Sequence, residues 1–245
     1  MPSPSRAETW ARRLTLPVLL AALVYLASLH SRLALLAAIG GALLLLAAVF
    51  LVLPRMAHTA FERGDYARAE IYYRLNRLFL ANPEARGAVD VSLAGCRLAR
   101  SDFRGALIEL DRVLPSALGV AARAAWHNNR AYALARADGD HAGALADIDE
   151  AVRLRPDVVG FRHTRGVVLL ALGRIDDAIA ELDEVWQQTA GVAQPPLLEA
   201  ERCYDLGVAW TRKGEAEYAR DYFSRAQLVA PGSPWAQRSR EAQRA

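Results

Sequence analysis

The chain has 245 residues, 53% of them hydrophobic, and a formal net charge of +3. It is too apolar and too nearly neutral for a disordered chain, and long enough for one or two folded domains. Two cysteines, Cys96 and Cys203, exclude a disulfide framework or a four-cysteine zinc site. The charge excess sits in the first 54 residues, where Arg6, Arg12, Arg13 and Arg32 face only Glu8. The folded body therefore lacks the basic excess of a nucleic-acid binder.

Residues 1–13 read as a basic tail and residues 14–54 as a two-helix membrane hairpin. Leu14–Leu29 and Leu33–Leu53 contain no Asp, Glu, Lys, Arg or His, and only His30-Ser31-Arg32 separates them. One uninterrupted helix over both runs would be about 60 Å long, twice a bilayer core, with Arg32 near its middle. Two antiparallel spans place His30 and Arg32 at the far interface instead. Pro17 falls in the first turn of the first span, and Pro54 is expected to end the second. Arg12 and Arg13 before the hairpin, and Arg55, Arg63 and Arg68 after it, outnumber Arg32, so both termini are expected on the cytoplasmic side. The short first run also fits an interfacial or re-entrant segment, which would leave one span and put the body on the other side. Residues 55–104 carry nine arginines against six acids, a charge that anionic lipid would attract.

From Met56 the chain repeats at a period of roughly 34–41 residues. Each unit carries a small residue and then another twelve or thirteen positions on: Ala57/Ala69, Ala94/Ala106, Ala131/Ala144, Gly166/Ala178 and Gly207/Ala219. Four residues after each second member stands a large side chain, Tyr73, Leu110, Ile148, Leu182 or Phe223. Turn residues separate the members of each pair: Gly64-Asp65, Ser101-Asp102, Asp138-Gly139-Asp140, Gly173 and Gly214. Glycine there ends one helix, and Asp or Ser caps the next. Small residues are required where two helices cross at close range. Ser233-Pro234 reads as an N-cap and first-turn proline that start a last, polar helix.

This pattern resembles the tetratricopeptide-repeat family. The clearest stretch is Leu206-Gly207, Gly214, Ala219, Phe223, Ala226 and Pro231; Asn129-Arg130-Ala131-Tyr132 with Ala144, Ala151 and Pro156 fits with one residue inserted in the turn. Asn76 stands where a small residue is expected. The resemblance implies a right-handed α-solenoid of about five helix pairs over residues 55–232, so the whole chain is expected to be all-α: the membrane hairpin, the solenoid, and a capping helix over 233–245. In the family, first helices line a concave surface that receives peptide segments or partner helices. Steps of three or four residues along those helices pick out Asn128, Tyr132 and Arg136; His163, Val167 and Leu170; and Tyr204, Val208 and Arg212. The family's carboxylate clamp is not expected, since Gly160 and Thr164 stand where basic residues would be needed.

Catalytic and cofactor motifs are absent, and the five histidines lie in different elements, no two of them at helical spacing. Neither enzyme activity, nor a metal, nor any other cofactor is expected. The acids Asp147, Asp149, Glu150, Asp176, Asp177, Glu181, Asp183 and Glu184 read as a solvated outer face, and both cysteines as small buried apolar residues. The expectation is a bacterial-type inner-membrane adaptor, multi-pass, with cytoplasmic repeats that hold protein segments; nucleic acid is not expected as a partner. The alternatives are a periplasm-facing protein resembling the cytochrome c maturation subunit, and a hairpin that shapes the membrane.

Overall fold

The computed structural model describes residues 18–137, 139–192 and 194–244. The basic tail, the start of the first apolar run, Pro17 and Asp138 lie outside the described residues. Every regular element among the described residues is helical. The chain divides into two compact units, Met1–Ala122 and Arg123–Ala245, so the apolar leader shares a unit with the first two helix pairs.

In the first unit, α1 (Val18–Ser28) turns into α2 (Arg32–Glu62). Ser31 makes the turn without glycine or proline: its backbone is extended, and its hydroxyl accepts the Ala34 N–H at 3.1 Å. Helix α2 is a single helix of 31 residues. Its apolar part is almost wholly exposed, with Leu33 at 79% and Leu44 at 74%, and it alone among the described residues is long and apolar enough to cross a membrane.

Pro54 does not end this helix, contrary to the sequence expectation. Residues Ala48–Val52 form a π-helical turn in which the Leu53 N–H reaches back to the Ala48 carbonyl. Proline has no N–H to donate and its ring crowds the preceding turn, and one widened turn absorbs both effects. In that register the proline would have served Val49, and the Val49 carbonyl is met by the Asn76 side-chain amide at 3.1 Å. Asn76 is 3% exposed. Its departure from the small-residue pattern is thus the cost of carrying the apolar helix straight into the first pair, whose second helix is α3 (Tyr66–Phe79). Gly64 has φ +77 and Asp65 caps α3. The second pair is α4 (Pro83–Ala99) and the short α5 (Phe103–Leu110), capped by Asn82 and Asp102.

Helix α6 (Val120–Arg136) crosses the division between the units. The second unit then runs through α7 (His141–Leu154), α8 (Val159–Ala171), α9 (Ile175–Gln188), α10 (Pro196–Lys213), α11 (Ala216–Val229) and α12 (Pro234–Ala242). Gly214, at φ +89, is the left-handed residue that ends α10. Ser233 caps α12 as its sequence predicts, and Trp235 packs with Ala200, Cys203 and Ala226.

All five small-residue pairs are buried. The reason is clearest in α10: a Cβ on Gly207 would lie 2.5 Å from Phe223 Cε1. Helices α10 and α11 therefore meet backbone to ring, and the same contact recurs between Gly166 and Leu182 at 2.7 Å.

Candidate functional site

The first helices of the second unit converge on one charged side chain. Arg136, at the end of α6, donates through Nη2 to both Asp205 carboxylate oxygens at 2.8 Å and to Glu201 Oε1 at 3.3 Å. The Tyr132 hydroxyl donates to the same Glu201 oxygen. From α8, His163 Nε2 lies 3.1 Å from Asp205 Oδ2. The Tyr132 and Trp235 rings each lie 5.1 Å from the guanidinium carbon. Helices α6, α8, α10 and α12 are thereby tied through one cation, two carboxylates, an imidazole and two rings. Charge pairing, hydrogen bonding and cation–π contact together offset the desolvation of these groups.

Burial drives the electrostatics. It alone would raise the Asp205 pKa, but the Arg136 charge and the His163 bond outweigh it and hold the carboxyl below its ordinary 3.8. The Tyr132 phenol is pushed well above 10.0, first by burial, so it remains a proton donor to Glu201. A carboxyl whose folded pKa is depressed stabilises the fold above its unfolded value and loses that contribution as pH falls through the folded one. The near-UV circular dichroism of the full chain is therefore expected to hold down to about pH 4 and fade below it. Asp205→Asn should remove that acid step from whatever signal the variant retains; an unchanged acid profile would contradict the assignment.

His163, Glu201 and Asp205 also place three donor atoms within 4.8 Å of one another. A cation would find Arg136 already bonded to both carboxylates and would have to expel it. Glu201 and Asp205 stand four residues apart on α10, but nothing in the sequence brings His163 of α8 to them. A His–Asp contact invites comparison with general-base chemistry, but His163 is 4% and Asp205 1% exposed, and Asp205 is committed to Arg136. The arrangement acts as a buried tie between helices.

The nine residues expected to line a groove divide by environment. His163, Val167 and Leu170 are buried, so α8 does not present an open stripe; the link from α6 to α10 crosses it at His163. Tyr132 and Arg136 belong to the tie. Tyr204 is half-buried, with its ring 5.5 Å from Trp235. Arg212 is exposed, although its Nη1 donates to the Leu170 carbonyl at 2.6 Å. Asn128 and Val208 are partly exposed, and the Asn128 Oδ1 atom is buried without a hydrogen-bond partner. An accessible surface remains at Asn128, Tyr204, Val208 and Arg212, on either side of the tie.

The expected solvated acids also need correction at one position. Asp147 is 7% exposed and held by His127 at 2.8 Å and by Arg130. Several of the others pair with arginines: Asp149 and Glu181 meet Arg165, and Glu184 meets Arg162, while Asp149 and Glu184 stay exposed. Cys96 and Cys203 are fully buried, and burial pushes both thiols up to about 12, which leaves them as packing groups. Sequence reasoning passed over Arg202, which is 5% exposed and donates to Thr189 and Gln194, both at 3.3 Å. Its pKa is lowered by burial.

The tetratricopeptide-repeat family model matches residues 135–195. Among solved structures, a thermophilic tetratricopeptide-repeat protein of Thermus thermophilus is similar at 21% identity and a TM-score of 0.54, over 79% of this chain and 98% of that one. BtubC of P. vanneervenii is similar at 16% identity and a TM-score of 0.50, over 89% and 91%. No curated protein matches the chain.

Proposed function

We propose that this chain, a tetratricopeptide-repeat protein, is a membrane-moored scaffold that holds protein segments on the first-helix face of its second unit. The observation that carries this reading is the tie around Arg136. It fixes α6, α8, α10 and α12 against one another before any partner arrives, so a partner need not order that face on binding. Asn128, Tyr204, Val208 and Arg212 flank the tie with amide, aromatic, apolar and cationic groups, a mixture suited to an extended segment or an amphipathic helix.

Mooring rests on α2, an exposed apolar helix that runs without a break into the first pair. Its 31 residues extend about 46 Å, more than a bilayer core of about 30 Å. In this reading α1 and α2 form the hairpin, the membrane is a bacterial inner membrane, and the repeats face the cytoplasm, where the arginine count places them.

Two variants separate the parts of the proposal. Deleting residues 18–53 is expected to move the chain from the membrane pellet to the supernatant while a partner remains bound. Val208→Glu/Arg212→Glu is expected to leave the chain in the membrane and abolish partner recovery after crosslinking. A deletion variant that stays in carbonate-washed membranes would contradict the mooring. An unchanged crosslinked partner in the double variant would contradict the choice of face. Cleavage of a C-terminal tag by protease outside spheroplasts would contradict the orientation.

A further inference from the structure

Helix α3 carries an apolar stripe that nothing among the described residues covers. Ile71, Leu75 and Leu78 are 55%, 43% and 67% exposed. At 3.6 residues per turn they fall within about 60° of one another. Arg68 and Arg74 lie just outside the stripe, one on each side, about 60° from Ile71. Their side chains are 73% and 60% exposed, and each meets one carboxylate on its own segment, Asp65 and Glu70. An apolar row of this kind on a water-facing helix is unfavourable unless something occupies it.

The depth of the stripe is set by α2. The Asn76 amide on the Val49 carbonyl, at 3.1 Å, fixes the C-terminal half of α3 beside the last turns of the apolar run. The buried pair Ala57 and Ala69 fixes the other end, so the two helices run antiparallel. Val49 precedes Pro54 by five positions, about 7 Å along a helix. On α2 at that level Phe50, Leu51 and Val52 are themselves 45%, 54% and 49% exposed. The stripe therefore continues the outer surface of the apolar helix. Because α3 runs antiparallel to α2, Leu78 lies about 10 Å deeper along the anchor than Ile71, and the stripe enters the acyl boundary with its C-terminal end first.

We propose that α3 is seated in the membrane surface, with Ile71, Leu75 and Leu78 at the acyl boundary and Arg68 and Arg74 on anionic lipid headgroups. The proposal rests on the reading of α2 as the anchor. Its consequence is that the first helix pair is pressed against the leaflet instead of standing clear of it. Arginine suits the flanking positions because its stem lies along apolar surface while the guanidinium reaches outward. The excess of basic over acidic residues in 55–104 adds a field of the right sign.

Three single-cysteine labels test this in the full chain, reconstituted in phosphatidylethanolamine–phosphatidylglycerol vesicles. Cys96 and Cys203 are fully buried and leave the label to the new site. Nitroxides at Leu75→Cys, Leu44→Cys and Leu228→Cys are compared for access to dissolved oxygen and to an aqueous nickel complex; Leu228 is 80% exposed on α11. The expected result is that position 75 prefers oxygen, as position 44 does, while position 228 prefers nickel. Arg68→Glu/Arg74→Glu should shift position 75 toward nickel and leave position 44 unchanged. Oxygen preference at 44 with nickel preference at 75 overturns the seating and leaves the anchor standing. Nickel preference at both overturns the anchor and the seating together. Spin–spin coupling between labels at 75 would assign the stripe to a second copy of the chain, and overturns it too. A position-75 signal indifferent to charge reversal overturns the role given to the arginines.

Discussion

Arg136→Ala is expected to lower the stability of the second unit by about 3–5 kcal/mol, the range for breaking a buried ion pair from one side. The substitution removes the guanidinium bonded to both Asp205 oxygens, leaves Glu201 with the Tyr132 hydroxyl, and withdraws the group packed against the Tyr132 and Trp235 rings. What remains is two carboxylates at close quarters where water hardly reaches. Arg136→Met/Asp205→Leu removes charge from both sides, and is expected to recover much of the loss, because apolar replacement of a whole buried pair is often nearly neutral. Urea unfolding of the full chain in detergent, followed by near-UV circular dichroism, measures both. A single variant as stable as the wild type would show that the tie carries no net energy.

The second large effect is expected at Gly207. Alanine there puts a methyl group 2.5 Å from the Phe223 ring, so either α10 and α11 separate or the ring leaves its site. Overpacking of this kind costs about 1–3 kcal/mol, and Gly207→Leu should exceed that range. Gly160 is the control. It lies in α8, and a methyl group added there would have nothing within 4 Å, so Gly160→Ala should be neutral or slightly stabilising through helix propensity. Equal thermal midpoints for Gly207→Ala and the wild type would contradict the backbone-to-ring contact.

Much of the helix pairing was legible because its determinants are local. Small residues twelve or thirteen apart, turn glycines and Asp or Ser caps each act within one pair, and every predicted small pair is buried. The caps at Asp65, Asp102 and Ser233 likewise sit where the sequence puts them. Reading failed where one residue answered a need elsewhere in the chain. Asn76 breaks the repeat pattern to bond Val49, 27 positions earlier. Pro54 suggests a stop only if the helix cannot widen, and it does widen.

The candidate site was less legible for the same reason. Four-residue steps correctly group Tyr132 with Arg136 on one helix, but they carry no sign that Asp205 lies 69 positions on and beside it. Stepping along α8 selects His163, Val167 and Leu170 as one face without revealing that neighbouring helices cover that face. Asp147 reads as one more exposed acid in a run of acids, yet it is drawn inward by His127 and Arg130. Periodicity reports which side chains share a face. Only tertiary contact decides whether that face meets water.

The first-helix face of the second unit is, in this reading, where the chain holds another protein. The direct measurement is photocrosslinking in intact cells from a benzophenone side chain placed at Asn128, Val208 or Arg212, compared with Asp149, Glu184 or Leu228 on the second helices. The expected result is the same discrete adduct from the first three positions, lost with Val208→Glu/Arg212→Glu introduced around the Asn128 probe, and no adduct from the last three. Adducts confined to Asp149, Glu184 and Leu228 would contradict it.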